Sequence, residues 1–217
     1  MASKNRRNKV KFKLQPELIV IVACLVIMLV ATIIMAVPTK AEKTTTSLNN
    51  AIYTYNQNNS SSSTSGSSSS SSSSYLPNKN VFEEVSHSAL VKKIRTEEYV
   101  YVIYGQYTSN QTIVGNLYNI QTICEDEKIN KVYLYDSTWV DTYDDVASES
   151  FNNLAKTLQD QIDNNKSADV EGFDLLESPA LLVFHNGSMV FNSQSYDNDS
   201  YTWSMYIQKA FYLSEVK

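Results

Sequence analysis

Residues 99–117 read Tyr-Val-Tyr-Val-Ile-Tyr-Gly-Gln-Tyr-Thr-Ser-Asn-Gln-Thr-Ile-Val-Gly-Asn-Leu. The first six are β-branched or aromatic and apolar at odd and even positions alike, which predicts a central strand covered on both faces. Gly105 ends that run. Beyond it Ile113, Leu117, Ile120 and Cys124 recur at i, i+4, i+7 and i+11, one apolar stripe of a helix over about residues 110–127. A strand that turns through glycine into a helix sets the turn beyond a strand's carboxyl end, where open α/β sheets place their ligands and chemistry. The four residues at the helix start, Ser109, Asn110, Gln111 and Thr112, are neutral. None is a strong acid, base or nucleophile without a partner.

Working outward, Lys131–Asp136 reads as a second strand, and strand, helix and strand make a right-handed βαβ unit. Ala180–His185 and Ser188–Asn192 flank Asn186-Gly187, a two-residue turn that closes hairpins because both residues tolerate positive φ. Between these units Ser137–Glu177 is a long excursion containing an amphipathic helix marked by Ala147, Phe151, Leu154, Leu158 and Ile162. Trp203, Tyr206, Ile207, Ala210 and Leu213 predict a closing helix. On the amino side, Phe82, Val85, Ala89, Leu90 and Ile94 predict a helix over Val81–Arg95, with Lys92, Lys93 and Arg95 where the dipole favours cations. The expected fold is α/β, a mixed sheet flanked by helices, in a domain of residues 81–217 with a helical insertion at about 137–177.

The remaining third of the chain carries a different signature. Residues 1–17 hold Lys4, Arg6, Arg7, Lys9, Lys11 and Lys13, and residues 18–37 are charge-free and almost wholly apolar. Twenty residues at the helical rise cover about 30 Å, the thickness of a bilayer core. The basic flank belongs on the cytoplasmic side, so the expectation is a single-pass cell-membrane protein with a cytoplasmic amino terminus and an extracytoplasmic domain. An uncleaved anchor is favoured over a cleaved signal or a lipoprotein. Ala36-Val37-Pro38 is a poor cleavage site, and thirteen more apolar residues follow Cys24. Residues 38–80 are rich in Ser, Thr and Asn, with serine at every position of 60–74 except Thr64 and Gly66. They are expected to form a flexible linker, roughly 35 Å from end to end. Ile52, Tyr53 and Tyr55 interrupt its polar run.

Of the 18 Lys and Arg and 23 Asp and Glu, six cations but only Glu17 precede residue 38, which leaves a net charge of −10 beyond it. Such a surface repels phosphate backbones, so nucleic acid is not an expected partner. Cys124 is the one cysteine outside the apolar segment, so no internal disulfide forms, and its place on the helix stripe predicts a core residue. His87, on an expected polar helix face, and His185, at the hairpin tip, lie too far apart for a shared metal or a catalytic dyad. The acidic run Asp136, Asp141, Asp144 and Asp145 lacks the spacing of a calcium loop. No metal and no cofactor is expected.

The element order and the stretch Ser178-Pro179-Ala180-Leu181-Leu182-Val183-Phe184-His185-Asn186-Gly187 resemble the thioredoxin superfamily, in particular the membrane-anchored thioredoxin-like accessory proteins of Gram-positive bacteria. The likeness covers roughly residues 81–213. It implies that Pro179 takes the role of the cis-proline, in a loop with Ser178 that faces the active-site turn. It also implies that Ser109-Asn110-Gln111-Thr112 stands where the family carries Cys-x-x-Cys. Serine and threonine hydroxyls have no redox couple, so the dithiol chemistry is absent.

Two roles are open to this turn. Ser109 and Thr112 can cap the helix, or the turn can be a remnant cleft that holds an extended peptide, with Tyr104, Tyr107 and Phe173 as a binding surface. The expectation is a non-redox module that binds another extracytoplasmic protein or peptide. The alternatives are a thiol-disulfide participant working through Cys124 and a structural envelope component.

Overall fold

Chain contacts divide the protein into two units, Met1–Thr39 and Lys40–Lys217. The computed structural model describes residues 16–36, 38–61, 73–138, 154, 156–158, 160, 170, 179–196 and 203–212. The first unit contains α1 (Pro16–Ala36), 21 residues long. Its described side chains, among them Leu25, Ile27 and Leu29, are exposed, and all but Thr32 are apolar. Counting the described residues alone, no helix is long and apolar enough to cross a membrane.

The second unit runs through α2 (Lys40–Ser61), β1 (Phe82–Glu84), α3 (His87–Thr96), β2 (Tyr99–Tyr104), α4 (Gln111–Asp126), β3 (Val132–Tyr135), β4 (Ala180–His185), β5 (Ser188–Asn192) and α5 (Trp203–Tyr212). The strands form one mixed sheet in the order β1-β3-β2-β4-β5. β1 and β2 pair parallel to β3, while β4 pairs antiparallel to β2 and to β5. Tyr101 and Ile103 join Leu134, Leu181 and Val183 on one face, against Leu48 and Ile52 of α2, Leu117 of α4 and Phe211 of α5. Val100, Val102 and Tyr104 join Tyr133, Tyr135, Leu182 and Phe184 on the other, against Leu90 and Ile94 of α3 and against Leu154 and Leu158. This is the two-sided burial expected of residues 99–104, and it follows from the two-residue side-chain period.

The hairpin forms over the expected residues, with φ 49° at Asn186 and 82° at Gly187. Cys124 is fully buried on the α4 stripe. Of the predicted insertion helix, Leu154 and Leu158 are helical and buried, whereas Ala147, Phe151 and Ile162 lie outside the described residues. Leu213 of the closing helix does too.

Two expectations are corrected. The helix expected over Val81–Arg95 is split: Phe82–Glu84 pairs with Val132–Leu134 as β1, and the helix begins only at His87. Three residues are too few to show a period, so this strand is selected by its partner and not by local pattern. The second correction concerns the linker at 38–80. Residues 40–61 form α2, packed on α4 and β1. Threonine and asparagine are poor helix formers, yet Leu48, Ala51, Ile52 and Tyr55 fall at i, i+3, i+4 and i+7. Leu48 and Ile52 are fully buried, Ala51 is buried and Tyr55 packs against the core, while Tyr53 points to solvent. The fit against α4 depends on Gly115, where an added Cβ would lie 2.8 Å from the Tyr55 hydroxyl oxygen.

Burying Leu48 and Ile52 stabilises the domain by about 1.5–3 kcal/mol each. Leu48→Ala should therefore lower the unfolding free energy of the full chain in detergent by about 2–5 kcal/mol in denaturant titration. A loss within about 0.5 kcal/mol, as at a surface position, would mean that α2 does not belong to the core.

Candidate functional site

The end of β2 is fixed by its two neighbours. Tyr104 pairs with Tyr135 of β3 and with Ala180 of β4, so the next residue, Gly105, meets the residue before β4, Pro179. An added Cβ at Gly105 would lie 3.0 Å from Ile113 Cδ1 and 3.3 Å from Pro179 Cα, and φ there is +144°. Only glycine fits this backbone without strain. The Gly105 N–H donates to the Tyr135 carbonyl at 3.0 Å, and the N–H groups of Ser109 and Asn110 donate to the Gln106 carbonyl at 3.0 and 2.8 Å. The glycine turn and the proline are thus in contact, and the turn is held by its own backbone.

Asn110 caps α4, its Oδ1 accepting from the Ile113 N–H at 3.1 Å. This corrects the expectation of capping by Ser109 or Thr112. The Ser109 hydroxyl instead donates to Gln106 Oε1 at 3.1 Å, and the Thr112 carbonyl accepts from Asn116 Nδ2 at 2.8 Å. Ser109, Gln111 and Thr112 are exposed and Asn110 is half-buried, so the turn faces solvent. The Ser109 hydroxyl's partner is a neutral amide, which cannot activate it as an acid or base would, and neither Ser109 nor Thr112 is a thiol.

The tyrosine surface is corrected as well. Tyr104 is fully buried, its ring stacked on Tyr135 at 5.4 Å, because even-numbered β2 residues face α3. Tyr107 is 7% exposed. Burial, together with a hydrogen bond to Glu84, pushes its hydroxyl pKa well above the ordinary value. Phe173 and Ser178 lie outside the described residues. The structure therefore brings Pro179 against Gly105 of the turn, and among the described residues Tyr104 and Tyr107 are core residues that form no exposed wall.

His87 was expected on a polar face and is instead buried. Its Nδ1 lies 2.6 Å from the Tyr135 hydroxyl, and the two rings are 5.4 Å apart. Tyr135 is the residue whose carbonyl holds Gly105, so His87 supports the turn through one intervening side chain. No sequence pattern signals this pair, which is 48 positions apart. Cys124 packs in the apolar core, where burial, and secondarily Glu125, pushes its thiol pKa up to about 12. Among the described residues no group of His, Cys, Asp or Glu is arranged to hold a metal. A cavity of about 320 Å³ lies at the β1 edge, beside Lys40, Thr44, Asn80, Phe82, Glu84 and Lys131, and none of the turn residues lines it.

No family model matches the chain, and no curated protein and no solved structure matches it.

Burial holds the His87 pKa below its ordinary 6.5, so the unfolded chain takes up this proton first as the pH falls. The stability owed to neutral His87 is fully present above about 6.5 and is lost as the pH drops toward the folded-state value. Unfolding free energy should decline as the pH falls below about 6.5, and His87→Gln should flatten that decline. Glu97 acts at lower pH. Burial would raise its pKa, but hydrogen bonds from Lys93 and Tyr133 outweigh this and hold it below 4.5. An identical slope in wild type and His87→Gln would contradict the assignment.

Proposed function

We propose that the chain is a membrane-anchored, extracytoplasmic thioredoxin-like domain that lacks the redox cysteine pair and serves as a protein-binding or accessory module at the cell surface. The observation that carries this reading is the contact between Gly105 and Pro179 beside the solvent-facing turn Ser109–Thr112. It supports the resemblance because the two segments that the family would join at its active site are neighbours here. The order strand, helix, parallel strand, antiparallel hairpin, helix gives further support. Anchoring rests on the apolar residues 18–37 and the basic residues before them. A proline at the mouth of an antiparallel strand and an exposed polar turn suit an extended peptide, held by main-chain and amide hydrogen bonds instead of by a covalent step. The alternative through Cys124 is opposed by its complete burial and raised pKa.

The reading is tested with a photo-crosslinking side chain at Gln111 in the full chain in native membranes, and with the same group at Arg95 as control. Arg95 is at the far end of α3, away from the turn. One protein should be captured reproducibly from Gln111 and not from Arg95. Equal capture from both positions, or from neither, would favour a structural envelope component.

A further inference from the structure

β1 stands at one edge of the sheet, and its parallel register gives each backbone group a direction. The Val132 N–H donates to the Val81 carbonyl at 2.8 Å, and the Val85 N–H donates to the Leu134 carbonyl at 3.0 Å. Residues 81, 83 and 85 therefore turn their backbone toward β3, and the N–H and C=O groups of Phe82 and Glu84 point away from the sheet. Side chains close two of these four groups. Asn80 Oδ1 accepts from the Phe82 N–H at 3.0 Å, and Lys40 Nζ donates to the Glu84 carbonyl at 2.9 Å. Asn80 is itself held, its Nδ2 donating to Thr45 Oγ1 at 2.8 Å and to the Pro77 carbonyl at 3.1 Å. The Phe82 carbonyl and the Glu84 N–H, one on each side of Glu83, have no partner among the described residues.

The open pair selects a strand direction. An antiparallel ladder uses the N–H and C=O of one residue together, and at both Phe82 and Glu84 one of the two is already taken. A parallel ladder uses the C=O of one residue and the N–H of the residue two further on to grip a single residue of the neighbour. Phe82 and Glu84 offer that arrangement. Two copies related by a two-fold axis and joined through β1 would pair antiparallel, so the capped edge is closed to a second copy. The edge borders the cavity of about 320 Å³, where Lys40, Ala41 and Thr44 of α2 face β1.

Side-chain alternation sets the chemistry of the guest. The gripped residue lies opposite Glu83 and shares its face, beside the ion pair of Glu83 with Lys131 at 3.1 Å. Its two neighbours share the face of Phe82, which belongs to the core under α2, and the cavity beside Ala41 and Thr44 suits β-branched side chains. The net charge of −10 beyond residue 37 favours a cationic guest. From these observations we infer that the β1 edge is a second peptide site, separate from the Ser109–Thr112 turn. It takes an extended segment of another protein running parallel to β1, with Lys or Arg opposite Glu83 and a β-branched residue on either side.

The probe is the capped pentapeptide acetyl-Thr-Val-Lys-Val-Thr-amide, titrated to millimolar concentration into the isotope-labelled full chain in detergent micelles and followed by amide NMR. The Glu84 amide should shift saturably. N-methylation of the probe's lysine removes the N–H that meets the Phe82 carbonyl and should weaken binding about fivefold or more. N-methylation of the following valine, whose N–H faces away from β1, should leave binding unchanged. Glutamate in place of the lysine should weaken binding about twofold or more, and Glu83→Lys should reverse that preference. A Glu84 amide that stays in place would overturn the site, as would equal weakening by the two N-methylations or an unreversed preference in Glu83→Lys. Shifts confined to the Gly105–Thr112 turn would overturn it while leaving the proposed function standing.

Discussion

The double pairing of β2 is the constraint on which the rest depends. Parallel bonding to β3 and antiparallel bonding to β4 set Tyr104 opposite Tyr135 and Ala180. That register sends Tyr101 and Ile103 into the core under α2, α4 and α5, and Val100, Val102 and Tyr104 into the core under α3. A slip of one residue would exchange the two sets. The same register delivers Gly105 to Pro179 and to the Tyr135 carbonyl. The candidate site is therefore a consequence of sheet pairing, and its geometry owes little to the turn's own side chains.

That division explains what was legible. β2, α4 and the β4–β5 hairpin were readable because their patterns are long and their punctuation, Gly105 and Asn186-Gly187, has a backbone cause. Pro179 was singled out by resemblance alone, and the structure places it against Gly105. β1 was not legible, since three residues show no period and Phe82–Glu84 owes its strand conformation to Val132–Leu134. α2 was hidden by composition. Its apolar positions Leu48, Ala51, Ile52 and Tyr55 do carry the helical period, but a polar majority conceals them. The tyrosines misled in the opposite direction. Tyr104 and Tyr107 suggested a surface, and burial shows them to be core residues.

The chemistry available at the turn is correspondingly limited. Ser109 and Thr112 are exposed; the Ser109 hydroxyl donates to the neutral amide of Gln106, and the Thr112 backbone carbonyl accepts from the neutral amide of Asn116. Cys124 is sealed in the core, and its raised pKa keeps it a thiol. A domain built this way presents a polar turn beside a proline. That arrangement suits recognition more than turnover.

The central claim is that residues 109–112 occupy the position of a thioredoxin active-site turn without its thiols. Its most direct test is to restore them, with Ser109→Cys and Thr112→Cys in the full chain, followed by thiol titration and insulin-disulfide reduction with dithiothreitol as electron donor. The account predicts that the two new thiols close into one disulfide and that the variant reduces insulin catalytically, while the wild type does not. Two persistently free thiols and no turnover, in a variant whose β2 amides remain protected, would contradict it.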